Sequence, residues 1–273
     1  MTRVVGIVLV RNEDVFVERA VRNVLDFCDE LLLCDNESED ETFGILERIA
    51  GEQPEKVTLH RIRHPSVSHD LIAPRAGEPL WAFAVDGDEL YDPRGLREFR
   101  TRLLAGEFDD WWLIRSNMLH AIELDRAAGT ARGHLAPPAP SMVKLYNFAL
   151  IDRWDGFHHH RLNGAHGLVF KAGREPRKLE LGKQYDWDRS PFRCLHVCFL
   201  PRSSRDRADR PRANVRERHG AALLHRRVWR RARERLGIPE RSTWKLERYR
   251  EGPVVETDVS SFLGSSEATR NGT

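Results

Sequence analysis

A membrane-spanning run and a small-residue signal-peptide cleavage site are both missing from the start of this 273-residue sequence, where the apolar stretch Val4 to Val10 is too short to cross a bilayer. The chain is therefore expected in the cytoplasm, with any membrane contact peripheral. An excess of one charge is missing too. Lys and Arg number 44 against 42 Asp and Glu, a formal net charge of +2, so there is no strong global field and no nucleic-acid partner is expected. Cysteine is sparse: Cys28, Cys34, Cys194 and Cys198 include no Cys-x-x-Cys pair. Cys194 and Cys198 flank His196 at a spacing that shares one face of a strand, which raises the question of zinc. A structural zinc site usually needs a fourth ligand and a turn, so these thiols are expected to be small core hydrophobes. What is present, 40% hydrophobic and 32% charged residues, suits a soluble globular chain long enough to bury a real core.

The first half alternates strands with helices. Val4 to Val10 reads as a strand covered on both faces, and Val17, Val21, Val24, Leu25 and Cys28 then recur at helical spacing. Leu31 to Cys34 predicts a second strand, ended by an acidic loop from Asp35 to Thr42. A helix follows through Phe43, Leu46 and Ile49, and Val57 to Ile62 predicts a third strand near an edge. Residues 63–79 form a polar, proline-bearing stretch of the kind that is often functional. Leu80 to Val85 is a fourth buried strand, Pro93 to Gly106 a helix, and Trp111 to Met118 a further strand. This alternation implies an α/β domain with a mixed, mostly parallel central sheet.

The fourth strand stops abruptly at Asp86-Gly87-Asp88-Glu89, which sets three carboxylates within four positions. In open α/β sheets the C-terminal edge of the strands is where ligands bind. A neutral substrate has no use for so many anions, whereas a divalent cation takes oxygen ligands and can then hold a diphosphate. The competing account is a solvated acidic turn before the helix that Asp92 and Pro93 start. Its position at the tip of an uncharged strand, after three upstream segments that read β-α-β, favours the functional account.

Three blocks taken together carry a resemblance: Val4 to Glu13, Leu31 to Thr42, and Trp81 to Glu89. A strand then Arg-Asn-Glu, a strand then Asp-Asn-Glu-Ser-Glu-Asp-Glu-Thr, and Trp with an apolar run then Asp-Gly-Asp-Glu resemble the family-2 glycosyltransferases of GT-A fold over roughly the first 120 residues. The resemblance implies a GT-A-like, Rossmann-type domain that binds a nucleoside-diphosphate-sugar and a divalent cation, Mn2+ or Mg2+. It puts Arg11, Asn12, Glu13, Asp35, Asn36, Arg75, Asp86 and Gly87 beside the nucleotide, with Asp35 accepting from a nucleobase N–H and Arg75 near the diphosphate. Asp88 would be the principal metal ligand, with Asp86 and His196 as further ligands. For Asn12, Asp40 and Thr42, turn and helix-cap chemistry is an equal alternative.

Gly129 to Pro140 reads as a mobile loop, and Met142 to Tyr146, His166 to Phe170 and Cys194 to Leu200 as strands. Between them lies Trp154-Asp155-Gly156-Phe157-His158-His159-His160. The family frame places its histidine on His159 and, where an acid is expected, His160. An inverting transfer needs a general base for the acceptor hydroxyl, and an imidazole serves at neutral pH only while unprotonated. His160 is the first candidate and His159 the second; Asp155 follows, with Asp186 and Asp188 in reserve. Trp154, Phe157, Tyr185 and Trp187 either stack on sugar rings or close the core, and core is the safer expectation for any one of them.

The domain expectation is a nucleotide-sugar-binding part over 1–120, an acceptor-binding part over 121–200, an Arg-rich helical appendage over 201–263 and a flexible tail over 264–273. Pro201 to Arg235 holds 13 arginines against four acids, most simply a solvated face, with peripheral membrane contact as the alternative. The expected function is metal-dependent transfer of a sugar to a hydroxyl on a glycan or small-molecule acceptor, with inversion. A sugar-phosphate nucleotidylyltransferase is the rival enzyme, disfavoured because Arg11-Asn12-Glu13 stands where a Gly-rich phosphate loop would be. A non-catalytic nucleotide- or glycan-binding relative is the non-enzymatic rival.

Overall fold

The computed structural model describes residues 1–154, 167–206 and 244–264. In chain order the first elements are β1 (Arg3–Val10), α1 (Val17–Val24), β2 (Glu30–Asp35), α2 (Thr42–Glu52), β3 (Val57–Arg61), α3 (Val67–Asp70), β4 (Leu80–Asp86), β5 (Glu89–Tyr91) and α4 (Pro93–Leu104). There follow β6 (Leu113–Arg115), β7 (Asn117–Asp125), β8 (Thr130–Leu135), β9 (Val143–Asn147), β10 (Ile151–Trp154), β11 (Leu168–Phe170), β12 (Lys178–Glu180) and β13 (Arg193–His196). The last described elements are α5 (Trp244–Tyr249), β14 (Val254–Asp258) and α6 (Ser260–Leu263).

A seven-stranded sheet of order β12-β6-β9-β4-β1-β2-β3 forms the centre. Its strands are parallel except β9, which runs antiparallel to both β4 and β6. This is the mixed, mostly parallel α/β sheet expected, with the third strand at an edge. β1 shows why it forms. Val4, Val8 and Val10 face one apolar cluster with α1, α2 and α4, while Val5, Ile7 and Leu9 face another on the opposite side, so neither face of the strand meets water. Gly6 fits between because a Cβ there would lie 2.3 Å from Leu31 and 2.8 Å from Cys28. Asp92 caps α4 by accepting from the Arg94 N–H at 3.1 Å, with Pro93 in the first turn, as the sequence predicts.

A second sheet, of order β14-β8-β7-β13-β5, abuts the first. The two meet at the acidic turn: β4 ends on Asp86 in the large sheet, and three residues later β5 begins on Glu89 in the second. The single strand expected over Trp111 to Met118 is instead two, broken at the buried Ser116, with β6 in the large sheet and β7 in the second. Two further expectations change. Gly129 to Pro140 contains β8, paired with β7 on one side and β14 on the other, and so is not a loop throughout. The strand expected from Cys194 to Leu200 ends at His196. The helical appendage expected over 201–263 falls largely on 207–243, outside the described residues; of the described remainder, Val254–Asp258 is a strand of the second sheet.

Candidate active site

The C-terminal tips of β1, β2 and β4 lie side by side, since Val10 pairs with Asp35 and Leu9 with Asp86 in the ladder. Beyond the β1 tip, Asn12 adopts a positive φ of 52°, which asparagine tolerates better than most residues. Its N–H donates to Ser38 Oγ at 2.9 Å, and its Oδ1 accepts from the Glu39 N–H at 2.7 Å, so the β1 and β2 loops are stitched together. The Glu13 N–H donates to Thr42 Oγ1 at 2.7 Å, which leaves the buried Glu13 carboxylate beside the acidic turn. Gly87 makes that approach fit: a Cβ on it would stand 2.2 Å from Glu13 Oε2.

Four buried or half-buried carboxylates, Glu13, Asp86, Asp88 and Glu89, thus gather around one turn, and among the described residues Lys144 and Arg202 meet them. Lys144, on β9 next to β4, contacts Glu89 Oε1 and lies 3.4 Å from Asp86 Oδ2. Arg202 contacts Asp88 Oδ2 and lies 3.4 Å from Glu13 Oε1. Glu89 also accepts from the Asp86 N–H at 3.1 Å and from the Tyr91 hydroxyl at 3.2 Å. Burial raises the Glu89 pKa although Lys144 pulls the other way. Burial works against the charge on Arg202, but Asp88 and Glu13 outweigh it and hold the guanidinium firmly protonated.

His196 follows from the second sheet, where it pairs with Glu89 of β5 and with His120 of β7. Its Nε2 lies 3.5 Å from Asp88 Oδ2, and its Nδ1 lies 2.9 Å from His120 Nδ1. Burial, then the neighbouring His196, push the His120 pKa down to about 3. Burial also opposes charge on His196, but Cys198 and Asp88 outweigh it, and its pKa rises well above the usual histidine value.

The other expected residues divide. Asp35 is fully buried at the β2 tip; its side chain accepts from the Ser38 N–H at 3.1 Å, while Oδ1 has no hydrogen-bond donor among the described residues. Burial raises its pKa. Arg11 donates to the Asn36 carbonyl at 3.0 Å, and the Asn36 amide donates to the carbonyls of Ile62 and Arg63 at 3.0 Å each, so Asn36 fastens the loop after β3. Arg75 is a correction. It binds Glu30 at 2.9 Å and lies 3.5 Å from Glu78, at the N-terminal ends of β2 and β4, the opposite edge of the sheet from Asp86. His159, His160 and Asp155 lie outside the described residues, as does Phe157.

Trp154 and Trp187 are buried, the first edge-on to Trp112 and the second stacked 5.7 Å from Phe262, so both belong to the core. The acidic loop after β2 is partly answered by the chain itself: Ser203 Oγ donates to Asp40 at 2.5 Å, and Arg205 lies 3.3 Å from Glu39. Lys144, Arg202 and His120 were missed from sequence. Lys144 had a signal, a lone charge inside the apolar run Met142 to Tyr146; Arg202 is hidden among arginines, and His120 acquires meaning only from strand register.

No protein-family model matches the chain, and no curated protein matches it. Among solved structures it is similar to S. aureus TarS in complex with UDP, at TM-score 0.37 and 18% identity over 54% of this chain and 47% of that one. It is also similar to the mannosyltransferase PcManGT from Pyrobaculum calidifontis in complex with GDP-Man and Mn2+, at TM-score 0.34 and 19% identity over 42% and 35%. A mycobacterial protein is matched at TM-score 0.36 and 17% identity over 88% of this chain and 76% of that one. The chain spans less than half the length of the first two. These are distant likenesses of fold. Among the described residues, no helix is long and apolar enough to cross a membrane.

Proposed function

We propose that the protein transfers a sugar from a nucleoside-diphosphate-sugar to a hydroxyl acceptor with the help of a divalent cation, inverting the anomeric centre. The observation that carries this reading is the gathering of four carboxylates at one strand tip, where Glu13, Asp86, Asp88 and Glu89 meet beside Lys144, Arg202 and His196. Carboxylate oxygens so placed at the end of β4 fit a divalent cation held by Asp86 and Asp88. When bound, such an ion supplies Lewis-acid neutralisation of the charge that grows on a leaving diphosphate. His196, expected as a further ligand, meets Asp88 through Nε2 and holds that carboxylate in place.

Asp35 supports the nucleotide half of the reading. A buried acceptor oxygen without a donor costs about 1–3 kcal/mol, and a nucleobase N–H would supply what Oδ1 lacks. Lys144 keeps Glu89 and Asp86 from repelling each other, and Arg202 stands next to Asp88 where it can move onto phosphate oxygens. The acceptor proton is assigned to His160, with His159 and then Asp155 as alternates.

Thermal unfolding with a panel of nucleoside diphosphates, with and without Mn2+, tests this. One diphosphate is expected to stabilise the protein only when Mn2+ is present, and Asp88→Asn is expected to abolish the metal-dependent part. Stabilisation by a triphosphate instead would favour nucleotidyl transfer. The seat of Arg202 on Asp88 favours a second reading, in which the guanidinium is itself the resident cation. In that case the diphosphate stabilises equally without Mn2+, and Arg202→Gln removes the effect.

A further inference from the structure

Two histidines of the second sheet, His120 and His196, have a geometry that the acidic turn does not explain. His120 and His196 are directly paired on neighbouring strands, so both side chains leave the same face. Their Nδ1 atoms point at each other, 2.9 Å apart. The far nitrogen of each is anchored. His120 Nε2 lies 3.0 Å from the Pro140 carbonyl, which can only accept, so this nitrogen carries the proton and Nδ1 of the neutral ring offers a lone pair. His196 Nε2 faces the Asp88 carboxylate. A ring N–H on a carbonyl, or on a carboxylate, with the other nitrogen turned inward is the arrangement that orients metal-ligating histidines.

Two residues past His196 the chain has left the strand, where the Val197 N–H donates to the Asp88 carbonyl at 2.9 Å, and this brings in Cys198. Its sulfur and one ring nitrogen of each histidine lie within 4.8 Å of one another. Tyr249 of α5 covers the group, stacked 4.5 Å from His120 and edge-on 5.6 Å from His196. The turn that a strand-bound Cys-x-His-x-Cys lacked is present, and the further ligand comes from a neighbouring strand. Cys194, in contrast, is a fully buried core thiol.

We propose that His120, His196 and Cys198 form a transition-metal site, bound through the two Nδ1 atoms and the thiolate, separate from the oxygen ligands of Asp86 and Asp88. Two imidazoles and a thiolate select Zn2+ or Co2+ over Mg2+ and Mn2+. Ligand nitrogens ~2.05 Å from a tetrahedral ion stand about 3.3 Å apart, so the facing nitrogens need to open by only about 0.4 Å. Binding displaces the proton held between the histidines and takes Cys198 as its thiolate, while the Nε2–H groups stay on Pro140 and Asp88. The site does not depend on the transfer reaction, although Asp88 links it to the acidic turn.

Cobalt titration of the metal-free full-length protein tests the proposal, because a thiolate ligand gives Co2+ a charge-transfer band that oxygen ligands do not. One Co2+ per chain with that band is expected, displaced by Zn2+ but not by excess Mg2+. Cys198 is only half-buried, so Cys198→Ser is expected to fold with an unchanged metal-free unfolding midpoint, lose the band and bind Zn2+ at least about tenfold more weakly. Asp86→Asn is expected to keep the band. Cobalt bound without the band, a band that survives Cys198→Ser, or loss of the band in Asp86→Asn would each overturn the site.

Discussion

Lys144 and Glu89 are both almost completely removed from water, and each is there because of the other. Taking a lone charge into such a place is costly, and removing one partner leaves the second uncompensated. Lys144→Met should therefore destabilise the protein by about 3–5 kcal/mol in urea unfolding at neutral pH. The double variant Lys144→Met with Glu89→Gln should recover a large part of that loss, because the remaining amide can still accept from the Asp86 N–H and the Tyr91 hydroxyl. If the double variant is as unstable as the single, the pair is not the source of the cost. The same pair shows a limit on what single residues reveal. The carboxylates of the turn are visible in the sequence as the abrupt end of an apolar run, yet their partners come from β9 and from Arg202, and nothing local to either announces which acid it will meet.

Elements were legible where both sides of a strand are buried, and obscure where register or long-range pairing decides. β1, β2 and β4 read directly because their apolar runs satisfy two core clusters at once. β8 did not: Thr130–Leu135 includes Gly133 and His134, has no clean alternation, and becomes a strand only because β7 and β14 flank it. Arg75 shows the opposite failure, a residue matched by motif position whose side chain is claimed by Glu30 and Glu78 at the far edge. That far edge has its own tie. Asp29 accepts from the Val4 N–H at 2.8 Å and from Arg100 of α4 at 2.6 Å, joining β1, β2 and α4. Burial alone would raise its pKa, but the Arg100 and Val4 hydrogen bonds outweigh it, and the folded value lies below the ordinary one. A depressed carboxylate stabilises the fold above its unfolded pKa of about 3.9, and the gain is lost as pH falls through the folded value. Asp29→Asn should accordingly cost stability at pH 7, and the gap to wild type should narrow below about pH 4 in denaturant titrations. A pH-independent gap would place the effect in packing, not charge.

At the scale of the whole molecule, the two sheets are joined by more than the turn at Gly87. After β14 leaves the second sheet, α6 carries Phe262 back to stack on Trp187, in a cluster that includes Phe16 and Ala20 from the α1 region of the large sheet. The Asn23 amide of α1 donates both to the Tyr91 carbonyl of β5, at 2.8 Å, and to the Phe262 carbonyl, at 2.7 Å. The C-terminal strand and helix therefore clamp the first helix to the second sheet, and the acidic turn sits inside that clamp, with its flanking strands in different sheets. Such an arrangement makes the sheets one cooperative unit, because neither half of the site keeps its geometry if they part. Phe262→Ala removes a fully buried ring, a loss of roughly 3–5 kcal/mol, and should lower Tm by roughly 6–15 °C in a chain of this size. Far-ultraviolet circular dichroism and tryptophan fluorescence should report the same shifted midpoint. Two separated transitions, with diphosphate protection retained by the first sheet alone, would show that the second sheet is an accessory to the site and not half of it.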